Sequence, residues 1–560
     1  MCSVLSLPCY NLTILTDLDL KLRELPYGVD TGFDPGKGCL PRTRLKFIDA
    51  IVDWVNNPDP SSPKVLVLSG QAGKGKSSIA HEIARQFHDT GRLTTSYFFV
   101  RGNLTQREPY RFFTTLARDL CDMYPAFKIS IGKAINNNTK LRYARDYLTL
   151  FQFLLQNPLN DVRFVGPVLV IIDALDESED ASDSDLASGN TLAFHTFLGQ
   201  HLSNFPSPFR ILITSRPEPN VLKAFPPSPF VRHIQMDDED LADEIEKDIL
   251  IYMRTKLSEV NVDDIILHKL VKKAEGLFQW ASVACHYIAN PPRSLNFEDC
   301  IDRVLHPSDG QKTLNPLDSL YMTVLEDFDM DDLEVLTRFH SVMRQIFTTF
   351  EPLSIVSLDT LGRHVIVNGA KAIRVHDVVK HLASLLSNVS SSSLTLPIEP
   401  LHTSFRDFLT DPKRSGKFYV NLDNTHYQLA YATLRTMQEM LHFNMCQLET
   451  SYQLNREVPD LNDRIQKSIP SALSYSCRFW ANHLMHVSEL DINLFDVLQV
   501  LMKENFLFWL EVLSVMGEMS VASTSLLSLR VFLGQRHHRV SIHRNFPLRK
   551  LSDNKSRMKE

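Results

Sequence analysis

A glycine-rich segment, SGQAGKGKSS (Ser69 to Ser78), constrains the fold of this 560-residue chain more than any other feature. It follows an unbroken apolar run, KVLVL. The spacing of Gly70, Gly75, Lys76 and Ser77 matches a phosphate-binding loop between a buried strand and a helix. Such a loop turns its backbone N–H groups toward a phosphate, and the helix N-terminus adds positive potential. The segment therefore predicts a parallel α/β sheet with a nucleotide site at its edge.

The loop also predicts which residues contact the nucleotide. We expect Lys76 to bridge the β- and γ-phosphates and the hydroxyl of Ser77 to bind Mg2+. The residues predicted to bind nucleotide are Gly70, Gln71, Ala72, Gly73, Lys74, Gly75, Lys76, Ser77 and Ser78. A glycine-rich turn without a ligand is the alternative, but the apolar run before the loop and the helical pattern after it favour a nucleotide site.

A second apolar run, VLVIIDALDE, ends in acidic residues. A phosphate-binding loop needs a carboxylate on a neighbouring strand to hold the metal ion, and Asp173 has that position. Asp176 and Glu177 follow just beyond the expected end of the strand, where a carboxylate can orient or deprotonate an attacking water. An acidic, solvated turn that continues through SEDASDSD is the alternative interpretation of these residues.

A third apolar run, RILITSRPE, ends in Arg216. Ligands of open parallel sheets bind at the carboxyl edge of the strands. We therefore expect this cation to lie beside the γ-phosphate and to sense whether a third phosphate is present. A surface salt bridge at the end of a strand is the alternative. Three polar strand ends in this order are more specific for a nucleotide site than any one of them alone.

The order of the patterns predicts an α/β unit followed by a helical half. KVLVL, TTSYFFV, PVLVIIDA and FRILITSR are typical of strands, and longer amphipathic segments separate them. Unbroken apolar strands that alternate with helices indicate a parallel sheet covered on both faces. From about Asp237 onward, helical periodicity dominates. The expected fold class is an α/β P-loop NTPase followed by mainly α-helical domains.

Composition excludes several kinds of partner and location. The net charge of -7 gives no reason to expect a nucleic acid or an anionic membrane as partner. The eight cysteines form no CxxC pair, which argues against a zinc site or a disulfide framework and favours a reducing compartment. No signal peptide is recognisable, and the apolar runs fall short of the roughly 20 residues that span a bilayer. We expect a cytoplasmic protein with no membrane span and no specific nucleic-acid partner.

Six segments together resemble one protein family. GQAGKGKSS, LVIIDALDE and ILITSRPE, followed by AEGLFQWASVACHYI, LDSLYMTVLE and LHTSFRDFLTD, resemble the NACHT-type members of the STAND class of signalling NTPases. The resemblance is greatest to the large paralogous sets of mushroom-forming fungi, and it covers about residues 36 to 515. In that family, a nucleotide-binding domain, a helical domain and a winged-helix domain close around ADP. Exchange for ATP opens them for self-assembly.

The resemblance assigns roles to the residues that match the family motifs. Catalytic roles fall to Glu177, Asp176 and Arg216, phosphate binding to Lys76, and metal binding to Ser77 and Asp173. The winged-helix domain of such proteins commonly offers a histidine to the β-phosphate of ADP. His402 in PLHTSFRDFL matches the fungal pattern, and we favour it as a nucleotide-binding residue. His376 in IRVHDVVKHL resembles the Met-His-Asp motif of related proteins, and local contacts for both histidines are the third possibility.

The segment CLPRTR, Cys39 to Arg44, resembles the part of the family that packs near the nucleotide base. The family usually has a glycine where this chain has Arg42. The chain therefore departs from the family pattern in the segment that the resemblance places near the base.

Pattern breaks and the resemblance together predict six segments. Clusters rich in Gly, Pro and Ser mark their borders. The predicted ranges are 1–38 for an N-terminal segment, 39–232 for a NACHT nucleotide-binding domain, 233–306 for a helical domain, 307–420 for a winged-helix-like domain, 421–527 for a further helical domain and 528–560 for a disordered basic tail.

The resemblance implies a switch with ATP or ADP and Mg2+ as cofactors, rather than a motor. We expect slow ATP hydrolysis, well below the roughly 10 s⁻¹ of typical enzymes, with self-association in the ATP state and other NACHT proteins as possible partners. The chain has no strand followed by the Asn-Lys-x-Asp loop that reads guanine, so adenine is the expected base. A non-catalytic scaffold with permanently bound ADP, or a truncated regulatory paralogue, is the alternative.

Overall fold

The computed structural model describes residues 18–536, except 20, 23–24, 29, 139, 142–143, 179–191, 293–294, 309–313, 327–332, 366–373 and 451. Its main sheet has five strands: β1 (Val65–Ser69), β2 (Leu93–Phe98), β3 (Val168–Asp173), β4 (Phe209–Ser215) and β5 (Val231–Gln235). Every neighbouring pair is parallel, and the order is β2-β3-β4-β1-β5. The predicted parallel sheet covered by helices is confirmed.

Helices connect the strands and cover the sheet. They are α1 (Leu45–Asn56), α2 (Lys76–Asp89), α3 (Leu104–Arg107), α4 (Tyr110–Met123), α5 (Pro125–Asn137), α6 (Tyr147–Leu150), α7 (Asn157–Asn160), α8 (Phe194–His201) and α9 (Pro219–Ala224). A π-helical segment, Phe151–Gln156, joins α6 to α7.

Both faces of the sheet are buried, and β1 illustrates this. Val65 and Val67 pack with α4, α5 and α8 on one face, whereas Leu66 and Leu68 pack with α1 and α2 on the other. A parallel strand that is buried on both faces has no polar side to present. This burial explains why the run before the loop is uniformly apolar.

Strand β5 was not among the strands predicted from the sequence. Its sequence, VRHIQ, is only half-buried, and β1 is its one neighbour in the sheet. Edge strands tolerate charged residues because one side of the strand is not paired within the sheet. Arg232 and His233 therefore interrupt the apolar pattern on which the other four predictions depended.

The chain after β5 is mainly helical, as predicted. Its first part contains α10 (Ala242–Lys256), α11 (Asp264–Lys273), α12 (Phe278–Ala289), α13 (Phe297–Leu305), α14 (Pro316–Leu325), α15 (Leu333–Thr348), β6 (Leu353–Ser354), α16 (Ile355–Gly362), α17 (Val375–Val379), β7 (Pro397–Ile398), α18 (Thr403–Leu409) and α19 (Pro412–Ser415). Strands β6 and β7 pair antiparallel. We call residues 307–420, which the sequence predicted to be a winged-helix-like domain, the winged-helix region; its described part contains α14 to α19 and both short strands. One continuous apolar core joins these elements from Ile245 to Val420 and also includes Ala432, Tyr475 and Phe479 of the helices that follow.

The last helices form a separate core. They are α20 (Thr425–Met440), α21 (Leu461–Ser468), α22 (Ser471–Met485), α23 (Ile492–Val500), α24 (Phe506–Val515) and α25 (Met519–Arg536). The prediction that a disordered tail begins at residue 528 was wrong for its first nine residues. Residues 528–536 are the last turns of α25, where Leu529 and Phe532 are buried in this core. Residues 537–560 lie outside the described residues. No helix that the structure describes is long and apolar enough to cross a membrane.

Three histidines lie where the last helices meet the winged-helix region, and we call them the histidine junction: His426, His483 and His486. All three stack around the ring of Phe350, with centroid distances of 5.6, 4.6 and 6.0 Å. His426 Nδ1 and His483 Nδ1 are 3.0 Å apart, and the Tyr475 hydroxyl lies 2.7 Å from His483 Nε2. Burial lowers the pKa of each histidine, that of His426 to about 4.

The charged side chains that act on the pKa values of the junction histidines are cations. Arg107 lowers the pKa of His426 and His486 further, and Arg406 acts on His426. The backbone also meets here, because the N–H of Leu104 donates to the carbonyl of Phe350. The junction therefore joins the α/β unit, the winged-helix region and the last helices through groups that are stable only while the histidines are neutral.

Chain entry into α1 requires two residues with positive φ. Arg42 has φ 71° and Arg44, the N-cap residue, has φ 62°. Left-handed conformations cost L-residues with a Cβ roughly 1–2 kcal/mol, but cost glycine little. This conformation is a physical reason for the glycine that the resembled family has at position 42.

Acidification is expected to destabilise the fold through the histidine junction. The histidines have pKa values near 6.5 in the unfolded chain and lower values when folded, so unfolding takes up protons below about pH 6.5. Their contribution to stability is complete above about pH 6.5 and is lost as the pH falls toward 4. For a histidine as fully buried as His483, the loss is about 1.4 kcal/mol at about pH 5.5. Thermal unfolding should show a clearly lower melting temperature at about pH 5.5 than at about pH 7.5.

Two variants isolate the junction from other titrating groups. His483→Gln should lower the melting temperature at neutral pH but reduce its dependence on pH, because one proton fewer is taken up. His268→Gln changes an exposed histidine on α11 and should leave the pH dependence unchanged. Equal pH dependence in wild type and His483→Gln would contradict the role of the junction.

Substitution of Arg42 tests its backbone conformation. Glycine normally destabilises a folded position by about 0.5–1 kcal/mol relative to alanine. At φ 71° the order should be reversed, so Arg42→Gly should melt at a higher temperature than Arg42→Ala. Both variants remove the same charge, which makes them a matched pair. A higher melting temperature for Arg42→Ala would rule out a left-handed residue at this position.

Candidate functional site

The phosphate-binding loop, residues 70–75, joins β1 to α2 as the sequence predicted. Gly73 and Gly75 have φ of 82° and 88°. A Cβ on Gly73 would lie 2.8 Å from the Cβ of Gln279, and the N–H of Gln279 donates to the Gly73 carbonyl at 3.0 Å. Glycine at 73 is therefore required by both the backbone conformation and the close approach of helix α12.

Lys76 closes the loop on itself. Its Nζ donates to the carbonyls of Gly70 and Gln71, at 2.7 and 3.0 Å. Burial lowers the pKa of Lys76, while the carboxylates of Asp176 and Asp173 act in the opposite direction. The ammonium group therefore lies within the loop and close to both carboxylates, where a phosphate would meet it.

The start of α2 supplies the anion-binding backbone. Its N-cap residue is Gly75, which has no side chain to cap the helix. The first-turn amides of Lys76, Ser77 and Ser78 have no acceptor within the helix, because an α-helix satisfies its N–H groups only from the fourth onward. A glycine-flanked turn with free amides fits a phosphate.

The residues predicted to hold the metal lie together. Because β4 lies between β1 and β3, Thr214 reaches Asp173 and donates to its Oδ1 at 2.5 Å. The Ser77 hydroxyl also hydrogen-bonds Asp173, and burial raises the pKa of this carboxyl. Hydroxyl and carboxylate oxygens are the ligands that Mg2+ takes alongside phosphate and water. The oxygen donors present fit a magnesium ion bound with a nucleotide.

Asp176 and Glu177 are buried against Arg216 rather than solvated. Asp176 accepts the backbone N–H of Arg216 at 3.0 Å, and its other oxygen lies 3.3 Å from Arg216 Nε. Glu177 Oε1 is 4.0 Å from Arg216 Nη2, and its Oε2 accepts the N–H of Arg101 at 3.1 Å. Burial raises the pKa of Glu177. The two carboxylates and the arginine thus form one cluster at the carboxyl edge of the sheet.

Arg216 also contacts the winged-helix region, which sequence reasoning missed. Its Nη1 lies 3.0 Å from Asp407 Oδ2, and its Nη2 donates to the Thr403 hydroxyl at 3.0 Å. Arg101 lies 3.3 Å from the other oxygen of Asp407. Thr403 and Asp407 are four residues apart and share one helix face beside His402. That spacing within LHTSFRDFLTD is the signal that could have identified them.

His402 lies close to the phosphate-binding residues, whereas His376 does not. Burial, with Arg216 and Lys76 as nearby cations, lowers the pKa of His402 to about 4. Its Nδ1 accepts the N–H of Ser404 at 3.1 Å and caps α18. His376 is on α17, which packs against α15 and α16.

Two further residues support the loop and were also missed. Asp237, which follows β5, accepts the N–H of Gln71 at 3.0 Å and pairs with Lys74 Nζ at 3.5 Å. The buried guanidinium of Arg44 donates to the Lys74 carbonyl and stacks on Phe278, 4.2 Å from the ring centroid. The two residues of each contact are 30 and 166 positions apart in the sequence, so no short sequence pattern could have predicted these contacts.

Comparisons with known proteins support part of this assignment. Residues 47–216 match the family model described as Nephrocystin 3, N-terminal. No curated protein matches the sequence of the chain. "Structure of Drosophila ORC bound to DNA" is 11% identical, covers 77% of this chain and 95% of that chain, and has a TM-score of 0.28. "Structure of Drosophila ORC bound to GC-rich DNA and Cdc6" is 10% identical in sequence and has a TM-score of 0.21. The match covers 94% of this chain and 74% of that chain.

Similarity at these TM-scores says nothing about function. The Nephrocystin 3 match begins in α1 and ends at Arg216, so it includes the loop and all three polar strand ends. It supports a P-loop NTPase-type unit and does not extend to the helical half. Over residues 47–216, the chain is therefore similar to the N-terminal region of Nephrocystin 3.

Proposed function

We propose that this protein is a nucleotide-dependent switch of the NACHT type, which binds ADP in the closed form and hydrolyses ATP slowly. Exchange of ADP for ATP opens the interface between the α/β unit and the winged-helix region, and the opened protein associates with itself. One observation carries the proposal. The guanidinium of Arg216 contacts the carboxylates at the sheet edge and, at the same time, Asp407 and Thr403 of α18.

The chain's own residues provide the binding site. The first-turn amides of α2 and the ammonium of Lys76 would bind the phosphates, and Ser77 with Asp173 would hold the metal ion. When bound, Mg2+ supplies positive charge to the phosphate oxygens. Asp176 and Glu177 lie at the strand end, where a carboxylate orients water. Adenine is the base that we propose, because the chain lacks a guanine-reading loop after any predicted strand.

Arg216 is the residue through which a third phosphate acts on the interface. A γ-phosphate at the edge of β4 competes with Asp407 for the same guanidinium, so ATP weakens the contact that ADP leaves intact. Shifting a population from 1:99 to 99:1 requires about 5.5 kcal/mol of preference between two states. One charge-assisted hydrogen bond contributes about 1.5–3 kcal/mol. Loss of the Arg216–Asp407 pair therefore supplies part of the required difference in free energy between the two states. The contacts of Thr403 and His402 contribute to the remainder.

One observation favours a second function, a non-catalytic scaffold with permanently bound ADP. The carboxylate of Glu177 accepts the N–H of Arg101 and lies 4.0 Å from Arg216. These contacts compete with a water for the oxygens that catalysis would use. In a scaffold, Glu177 would serve only to hold Arg101 and Arg216 in place.

Nucleotide content and light scattering test the switch. Protein purified gently with Mg2+ should release ADP on denaturation, and its mass by static light scattering should rise when ATP replaces ADP. Lys76→Ala should carry no nucleotide and should not respond to ATP, because the phosphate loses its cation. A wild-type protein with no bound adenine nucleotide and no measurable affinity for ADP or ATP would overturn the proposal.

Glu177→Gln separates the switch from the scaffold. In a switch, this variant should hydrolyse ATP at least tenfold more slowly and accumulate in the associated form when ATP is present. In a scaffold, ADP content and mass should equal those of the wild type. Glu334→Gln, an exposed carboxylate on α15, is the control and should change neither measurement.

Asp407→Asn tests the ion pair across the interface. The variant keeps the size of the side chain but removes the charge that Arg216 and Arg101 contact. We expect ADP to dissociate about tenfold faster, which corresponds to about 1.4 kcal/mol, and self-association to begin at lower ATP concentration. Asp377→Asn, exposed on α17, is the control. An ADP dissociation rate equal to that of wild type would show that Asp407 does not stabilise the closed form.

A further inference from the structure

A chain of hydrogen bonds connects the phosphate-binding loop to His402 through two other elements. The Gly73 carbonyl accepts the backbone N–H of Gln279 at 3.0 Å, and the Gln279 side chain bonds the hydroxyl of Tyr321. The Tyr321 hydroxyl lies 2.8 Å from Ser404 Oγ, which lies 2.6 Å from His402 Nδ1. The α/β unit, α12, α14 and α18 each contribute to this chain.

The directions of these hydrogen bonds follow from their chemistry. His402 Nδ1 accepts the backbone N–H of Ser404, so this nitrogen carries a lone pair and no proton. The Ser404 hydroxyl therefore donates to Nδ1, which leaves its oxygen free to accept from Tyr321. The Tyr321 hydroxyl donates its one hydrogen to Ser404, so its oxygen accepts a hydrogen bond from the side-chain amide of Gln279. Each donor is then followed by an acceptor, and the one lone pair of Nδ1 is shared between the N–H and the hydroxyl of Ser404.

This arrangement determines the form of the His402 ring. With Nδ1 unprotonated, a neutral imidazole carries its proton on Nε2. Protonating Nδ1 would turn both ring nitrogens into donors, which would break the cap of α18 and reverse the hydroxyl bonds. The charged groups that act on His402 are Arg216, Lys76 and Asp407. Two of them are the cations of the phosphate site, and they also disfavour an imidazolium.

Burial makes the hydrogen-bond chain energetically significant. Tyr321 is 0% exposed and Ser404 is 4% exposed. A buried hydroxyl that loses its partner costs about 1–3 kcal/mol, because water cannot replace the missing bond. Tyr321 therefore strongly favours the single arrangement in which all four side chains are satisfied.

We infer that Tyr321 and Ser404 are positioning residues that hold His402 as the neutral tautomer with its proton on Nε2, a donor for the terminal phosphate of a nucleoside diphosphate. This inference rests on the proposed function, because it takes ADP as the ligand. Gln279 links the tautomer to the conformation of Gly73. A shift of the loop at Gly73 would displace Gln279 and remove the donor to Tyr321. The conformation of the loop would therefore affect the tautomer of His402 through this chain of hydrogen bonds.

The tautomer can be read directly by nitrogen NMR of histidine-selectively labelled, full-length protein without nucleotide, with His402→Gln used for assignment. In the wild type, Nδ1 should resonate as an unprotonated nitrogen and Nε2 as a protonated one. Tyr321→Phe should show a fraction of the opposite tautomer, because the Ser404 hydroxyl is then free to accept from Nδ1, while the backbone N–H of Ser404 still favours the wild-type form. A protonated Nδ1 in the wild type would overturn the inference whether or not the protein binds ADP.

Binding gives the second readout. The affinity for a fluorescent ADP analogue should fall about tenfold in Tyr321→Phe at about pH 7.5, the effect of one buried hydrogen bond. Between about pH 7.5 and 5.5, the ratio of variant to wild-type affinity should change, because the imidazolium becomes accessible in the variant. Ser404→Ala should change the ratio in the same direction. A constant ratio in both variants would contradict a positioning role.

Tyr97→Phe is a matched control. Tyr97 is buried like Tyr321, but its hydroxyl has no hydrogen-bond partner among the described residues. Its removal should leave ADP affinity and the His402 tautomer unchanged. If wild-type protein binds no ADP at any pH, the proposed function fails, and the NMR measurement still decides the tautomer. If it binds ADP with Nδ1 protonated, the inference fails and the function stands.

Discussion

The ion pairs of one guanidinium, that of Arg216, connect the two halves of the molecule. A single planar cation contacts Asp176 at the sheet edge and Asp407 on α18. Arginine suits this role because its donors form a fixed fork that can serve two carboxylates at once. The group is only partly exposed, so its contacts are less screened than those of surface pairs. A ligand that changes the charge around Arg216 therefore changes both halves together.

The order of the strands makes this arrangement possible. Parallel strands end at a common edge, and β4 lies between β1 and β3. Arg216 at the end of β4 is therefore placed between the loop with Lys76 and the carboxylates that follow β3. The helical half then packs across the same edge, where Gln279 contacts Gly73 and Asp407 contacts Arg216. The proposed nucleotide site and the interface with the helical half therefore lie at the same edge of the sheet.

Much of the fold and part of the site could be predicted from local pattern. Four strands were predicted from short apolar runs, and the loop was predicted from the spacing of its glycines, lysine and serine. Both signals lie within a few neighbouring residues of the sequence. The half-exposed edge strand β5 was missed because its pattern is broken. Asp407, Gln279 and Asp237 were missed because they meet the site only after folding, from 166 to 206 positions away from their partners. The positive φ of Arg42 likewise has no local signal in an arginine.

In the proposed switch, two of the contacts between the halves respond to different parts of a nucleotide. Arg216 would meet a γ-phosphate that competes with Asp407, whereas His402 would offer a neutral donor to a diphosphate. A ligand can move an equilibrium only by binding its two states differently. In the proposed switch, ADP would strengthen the closed form through His402 without disturbing the Arg216 pair, and ATP would oppose it through Arg216. Linkage is reciprocal, so any partner that separates α18 from the sheet edge must also lower the affinity for ADP. A partner that binds the opened winged-helix region would therefore promote nucleotide exchange without contacting the nucleotide.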